Sequence, residues 1–194
     1  MAIAGITGGM GCGKSTVVRA LERRGFRRLD SDQIVRERVL VDPAVVAAIR
    51  VHFGEGVVGA GGAINRSALG AKVFSDDAAR VWLEELVHPG VFAAWREAFA
   101  AEPGAHWAVE VPLLFEKGLE NWFDFTICVA CAPAQQLARL EQRGLPRELA
   151  ELRISKQLPL ARKIDRSDFV LWNEGSPAFL ESQVDRLALA LVAA

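Results

Sequence analysis

Apolar and polar positions divide the chain into short buried runs separated by longer periodic stretches. Residues 2–7 (AIAGIT) are a brief continuous apolar run, the pattern of a strand covered on both faces. Residues 15–24 (STVVRALERR) switch to helical period and stop at Gly25, with Arg23 and Arg24 where cations complement a helix dipole. A second short strand is predicted over 27–29 and ends at Asp30. The pattern then stays helical for a long stretch. One helix opens with the cap Asp42 and Pro43 and closes at Gly54. A flexible connector follows (GEGVVGAGGA). Two helices over 66–74 and 76–87 are capped by Asn65 and Ser75, His88-Pro89 breaks the second, and another helix carries 91–101. Strand character returns at 106–111 (HWAVEV), 123–130 (FDFTICVA) and, weakly, 168–172 (DFVLW). Between the last two, 133–160 is helical and rich in arginine, and a final helix follows Ser176-Pro177.

Strands separated by helices predict an α/β fold with a parallel sheet flanked by helices. The expected core comprises 1–34, 104–138 and 161–194. Residues 35–103 read as a helical insertion, and 139–160 as a small helical lid.

Composition narrows the picture further. Half of the 194 residues are apolar, enough for a substantial core, and the net charge is −1 with a pI near 6.3. No general affinity for nucleic acid or an anionic membrane follows from that balance. The N-terminal apolar run is six residues and no other run approaches twenty, so the expectation is a soluble cytoplasmic protein with no obligate protein partner. Three cysteines give no disulfide framework. Cys128 and Cys131 read as core residues of a strand rather than a metal or redox pair. Cys12 is a different case. It lies inside a glycine-rich loop, where oxidation or alkylation would block a bound ligand.

That loop carries the strongest chemistry. Gly8, Gly13, Lys14 and Ser15 satisfy G-x-x-x-x-G-K-[ST] between a predicted strand and a predicted helix, the context a phosphate-binding loop requires. Glycines let successive backbone N–H groups converge on an anion, and the helix N-terminus adds partial positive charge. Lys14 is positioned for the β- and γ-phosphates, and the Ser15 hydroxyl for Mg²⁺. The chain lacks N-K-x-D for guanine and the L-S-G-G-Q of transporter ATPases, which disfavours a GTPase switch or a transporter. Asp30 and Asp32 fall at the carboxyl end of the second strand, on the edge where open α/β sheets bind ligands. A carboxylate there could orient an acceptor hydroxyl and take its proton; the alternative is helix capping. Arg139 and Arg143 share a helix face and Arg153 follows, so a closing lid could bring them to a transferring phosphoryl group. The alternative for any one of them is a solvated surface charge.

Together these residues resemble the dephospho-CoA kinase family over essentially the whole chain. The resemblance rests on GITGGMGCGKSTV, LDSDQIVR, HFGEGVV, INRSALGAKVF, HPGV, VPLLFEKGLENWFD, QLARLEQRG, RISKQLPLARK and SDFVLWNEGS in that order. It implies a P-loop NTPase-type core with an inserted substrate-binding domain and a lid, and transfer of phosphate from ATP with Mg²⁺ to the ribose 3′-hydroxyl of dephospho-CoA. Asp32 matches the family's base. Gly9, Gly11, Cys12, Gly13, Lys14, Ser15 and Thr16 match its nucleotide loop, and Arg139, Arg143 and Arg153 its lid positions. Asn173 opens an N-x-G turn on the adenine side. Leu113 and Glu116 in VPLLFE, and His88 in HPGV, are substrate-side candidates; His88 and Glu116 also admit structural readings. Trp172 stands where the family usually has an acidic or small polar residue, and Gly144-Leu145-Pro146 replaces a polar turn. The rival functions are another nucleotide kinase on the same fold and a non-catalytic nucleotide-binding regulator.

Overall fold

The computed structural model describes residues 1–193. In chain order its elements are β1 (Ile3–Gly8), α1 (Lys14–Glu22), β2 (Arg27–Asp30), α2 (Ser31–Ile34), a π-helical turn (Val35–Val39), α3 (Pro43–Phe53), α4 (Arg66–Ser75) and α5 (Asp77–Ala101). They continue with β3 (Trp107–Glu110), β4 (Phe125–Ala130), α6 (Pro133–Gln142), α7 (Arg147–Ser155), α8 (Leu160–Arg166), β5 (Phe169–Trp172) and α9 (Pro177–Ala193). The chain divides into two compact units, one of Met1–Asp30 with Pro103–Ala194, the other of Ser31–Glu102.

The first unit is built on one sheet in the order β2-β3-β1-β4-β5, every neighbouring pair parallel. Parallel strands need helical crossovers, and these cover both faces, which is why β1 and β4 carry apolar side chains without alternation. On one face Val17, Val18 and Leu21 of α1 and Leu180, Val184 and Leu191 of α9 meet Ala4, Ile6, Ile127 and Val129 of the sheet. Burying each valine or leucine of that set contributes about 1.5–3 kcal/mol before chain entropy is subtracted. On the other face Gly5 makes room: a Cβ there would lie 2.7 Å from Leu114 Cδ1 and from the Phe123 ring. The outer edge at β5 is closed by a side chain. Gln183 accepts from the Trp172 amide (3.0 Å) and donates to the Trp172 carbonyl (2.8 Å), mimicking a neighbouring strand.

The second unit is helical, with Ile49, Val57 and Leu69 buried at its centre and Trp82 packed against them. His52 stacks on Trp82 with ring centroids 3.8 Å apart. Several local expectations are corrected here. The break at His88-Pro89 does not occur: α5 runs unbroken from Asp77 to Ala101 with Pro89 inside it. Burial of Val87, Val91, Ala94 and Trp95 on either side of the proline outweighs the lost backbone hydrogen bond. The cap of α5 is Asp76, not Ser75; Asp76 Oδ1 accepts from the amides of Ala78 (2.8 Å) and Ala79 (3.1 Å). The Gly-rich connector is organised rather than loose. Val58 bridges Ile64 in antiparallel fashion, and Asn65 N donates to Val57 O at 2.8 Å. Among the described residues no helix is long and apolar enough to cross a membrane.

Candidate active site

β1 delivers the chain to the carboxyl edge of the sheet at Gly8, and α1 begins at Lys14. The intervening turn needs positive φ at Gly8, Gly11 and Gly13, and the first and last of these show why only glycine fits. Gly8 has φ 137° and a Cβ there would fall 2.1 Å from the Val129 carbonyl oxygen, so only hydrogen fits. Gly13 caps α1 with φ 100°, and a Cβ would sit 2.3 Å from Asn173 Nδ2. No side chain caps α1 and no acid stands in its first turn. In that turn the Thr16 amide bonds Gly13 O at 3.0 Å, and a helix start with neither a side-chain cap nor an acid suits an anion.

What fixes the loop is the treatment of its carbonyls. Gln136 Nε2 donates to Met10 O at 2.9 Å, Arg139 Nη1 to Gly11 O at 3.4 Å, and Asn173 Nδ2 to Cys12 O at 2.8 Å. Arg139 Nη2 also donates to Asn173 O at 2.8 Å, so the arginine and asparagine brace one another as well as the loop. With three consecutive carbonyls engaged by side chains and Cys12 N bonded to Gly9 O at 3.2 Å, the loop is held in a tight curl, the kind of backbone turn that binds phosphate. Lys14 is buried, its ammonium 3.2 Å from both Gly8 O and Gly9 O. Beneath the loop, Cys131 donates to Cys12 with sulfurs 3.5 Å apart. That bond holds the Cys12 thiol down at about 7 against burial, with Lys14 adding to the effect. Cys12 and Cys131 are almost fully buried, as is Cys128, whose thiol burial pushes up to about 12.

The other sequence-selected residues are distributed as follows. Ser15 is half-buried and Thr16 exposed in the first turn of α1. Asp30 ends β2 level with Glu110 of β3, which is level with Ile6 of β1, so the acid reaches the same sheet edge two strands from the loop. Its carboxylate lies 3.5 Å from Arg28. Asp32 belongs to the second unit, exposed in the first turn of α2 and two residues beyond β2. His88, also in the second unit, is half-buried and stacks on Phe92 at 5.6 Å. Arg139 joins the loop, but Arg143 lies exposed at the end of α6 and Arg153 exposed in the last turn of α7. Leu113 is half-buried, and its carbonyl accepts from Lys117 N at 3.1 Å. Glu116 forms a 2.8 Å ion pair with Lys163 and accepts from Leu158 N at 2.9 Å.

Two residues at this edge were not singled out by the sequence. Gln136 sits one turn before Arg139 on α6 and is nearly fully buried, a polar residue on an otherwise apolar helix stripe. Lys163 is fully buried, yet it reads in the sequence as one charge among several in ARKIDR.

A parallel sheet with β1 at its centre, feeding a glycine loop that wraps the start of α1, defines a P-loop fold of the kinase class. The sequence model of the dephospho-CoA kinase family matches residues 2–178. Dephospho-CoA kinases of Thermosynechococcus vestitus and Gloeobacter violaceus are 44% and 40% identical to this chain, covering 94% and 95% of it and 91% and 90% of their own lengths. Among solved structures, TT1252 from Thermus thermophilus superposes with TM-score 0.86 at 36% identity, covering 98% of this chain and 97% of that one. A dephospho-CoA kinase from Campylobacter jejuni superposes with TM-score 0.71 at 26% identity, covering 96% and 95%. The chain belongs to the dephospho-CoA kinase family.

Proposed function

We propose that this protein transfers the γ-phosphoryl group of ATP to the ribose 3′-hydroxyl of dephospho-CoA, giving CoA and ADP, the last step of coenzyme A biosynthesis. Besides family membership, one observation carries the reading: the carbonyls of Met10, Gly11 and Cys12 are all bonded by Gln136, Arg139 and Asn173, which braces the glycine loop at a helix N-terminus. Such a cradle costs nothing to reorganise when charge builds on the transferring group.

In this reading the amides of 9–16 and the Lys14 ammonium hold the triphosphate. Lys14 swings from the two carbonyls it now bonds toward the β- and γ-oxygens. Asp32 orients the acceptor hydroxyl, whose oxygen forms the new bond to phosphorus as the bond to the ADP oxygen breaks, and it receives the proton. A loose transition state needs positioning more than a strong base, so an ordinary carboxylate is adequate. Arg139 stiffens the loop and offers positive charge, and Arg143 and Arg153 approach from a lid spanning 139–160. Asn173 sits beside the adenine. The candidates for the acceptor are Asp30, Leu113 and Glu116 and, in the helical domain of 35–103, His88. Magnesium suits the hard oxygen donors available, the Ser15 hydroxyl at the head of α1 above all, and when bound it would neutralise phosphate charge. A reaction of this kind, on soluble metabolites, belongs in the cytoplasm.

The test is direct. Incubation with ATP, Mg²⁺ and dephospho-CoA should yield CoA and ADP in equal amounts by mass spectrometry. ATP turnover without CoA formation would remove the acceptor assignment.

A further inference from the structure

Two lysines are buried among the described residues, Lys14 and Lys163. The phosphate loop explains the first. Lys163 has no solvent exposure, and its ammonium bonds neither the loop carbonyls nor α1. Its ammonium lies 2.8 Å from Glu116 Oε1 and donates to Pro112 O at 2.8 Å.

Each of its partners is shared. Pro112 O also accepts from Thr7 Oγ1 at 3.3 Å, and Thr7 is the buried residue immediately before Gly8. Glu116 Oε1 also accepts from Leu158 N, at the exit of the arginine-bearing segment. The lysine therefore joins three pieces of chain that meet at the carboxyl edge of the sheet: the last residues of β1, the segment 111–116 after β3, and the return from α7 to α8.

As a stabiliser this pair is a poor choice. Two charges are removed from water, and apolar residues of similar volume often replace such a pair without loss. Moreover Glu116 Oε2 is buried without a hydrogen-bond partner, so the carboxylate is not fully repaid for its desolvation. What the pair supplies is fixed geometry, since an ammonium bonded at once to a carboxylate and a carbonyl has a single acceptable position.

We propose that Lys163 is a positioning residue for phosphoryl transfer, setting the segment 111–116 and the exit at Leu158 against Thr7 at the entrance to the phosphate loop. The proposal rests on the kinase reading. It assigns Glu116 to the same device rather than to direct contact with the acceptor. Loss of the pair lets the acceptor-side segment shift while the loop's own braces, Gln136, Arg139 and Asn173, stay in place. Displacements of an ångström are enough to lower turnover by about 100-fold.

Three variants test it: Lys163→Met, Glu116→Gln, and the double variant Lys163→Met/Glu116→Leu. Each is measured for thermal midpoint, ATP affinity by calorimetry, and steady-state CoA formation. The double variant removes both charges, so it is the one expected to stay folded. The expected result is a folded double variant with ATP Kd within about 2-fold of wild type and kcat lowered about 10- to 100-fold. Glu116→Gln, which keeps an acceptor for Leu158 N, should fall between it and wild type. Faster hydrogen exchange at the Leu158 amide should accompany the loss. A folded double variant with wild-type kcat would overturn the proposal and leave the pair structural. Wild-type protein that makes no CoA would instead overturn the kinase reading, a distinct outcome.

Discussion

Arg139 spans 34 residues of sequence to donate to the Asn173 carbonyl, at 2.8 Å, while its other terminal nitrogen reaches Gly11 O. One planar guanidinium thus locks the turn after β5 to the phosphate loop. Lysine can bond two acceptors only where both lie close to its one nitrogen, whereas the two terminal nitrogens of the arginine fork reach carbonyls from different segments. Arg139→Lys should therefore resemble Arg139→Ala, each lowering kcat/KM for ATP by about 10- to 100-fold, the scale of a displaced catalytic frame. If Lys at 139 retains wild-type kcat/KM, charge rather than bridging is what matters there.

Asp32 stands two residues past β2, in the first turn of α2, and is exposed. In the proposed reaction it acts only on the acceptor hydroxyl, whose proton it takes. Asp32→Asn should leave ATP affinity close to wild type and lower kcat by about 10²- to 10⁴-fold. Calorimetry with ATP and steady-state CoA formation separate the two. A variant with near wild-type kcat would take Asp32 out of the chemistry.

The parts of this site legible in the sequence are those governed by local rules. Gly8, Gly13, Lys14 and Ser15 carry a fixed spacing because one strand, one turn and one helix build them. The strand pattern is legible for a similar reason, since a doubly covered parallel strand must be continuously apolar. Gln136 and Lys163 were not legible. Their significance arises from burial beside segments remote in sequence: Met10 for the one, Pro112 and Glu116 for the other. Pro89 misled for the opposite reason, because its local preference is real but tertiary packing overrides it. Arg143 and Arg139 were grouped by helical spacing, yet α6 ends at Gln142 and leaves Arg143 outside the contact that Arg139 makes.

Cys12 and Cys128 give stability opposite dependence on pH. The Cys12 thiol sits near 7 when folded, because Cys131 donates to it, against an ordinary 9.0. Its thiolate therefore contributes stability that is present above pH 9 and lost as pH falls through 7. Burial holds Cys128 at about 12, so the folded state keeps a proton that the unfolded chain sheds above 9.0, and stability declines from there toward 12. Urea midpoints should rise from pH 7 to 9 and fall beyond it, and Cys12→Ser should remove the rise. Because all three thiols are buried, iodoacetamide at pH 8 should label the native protein far more slowly than the urea-unfolded chain. Rapid native labelling of Cys12 would mean that the loop opens readily.

Pro89 lies inside α5, where it has no N–H to give the carbonyl one turn earlier. In a helix interior proline is about 3 kcal/mol less favourable than alanine. Its rigidity in the unfolded chain offsets only about 0.4–1 kcal/mol of that. Pro89→Ala should therefore stabilise the helical unit by about 1–2 kcal/mol once partial relaxation is allowed for, a rise of several degrees in its midpoint for a unit of this size. The neighbouring His88 stacks on Phe92, and Val39 packs so closely on Gly90 that a Cβ there would lie 2.9 Å from Val39 Cγ2. If the proline is there to hold that turn open, the stabilised variant should lose acceptor affinity, seen as a higher KM for dephospho-CoA with unchanged ATP Kd. A lowered midpoint would show instead that the fixed φ of Pro89 supports the native packing.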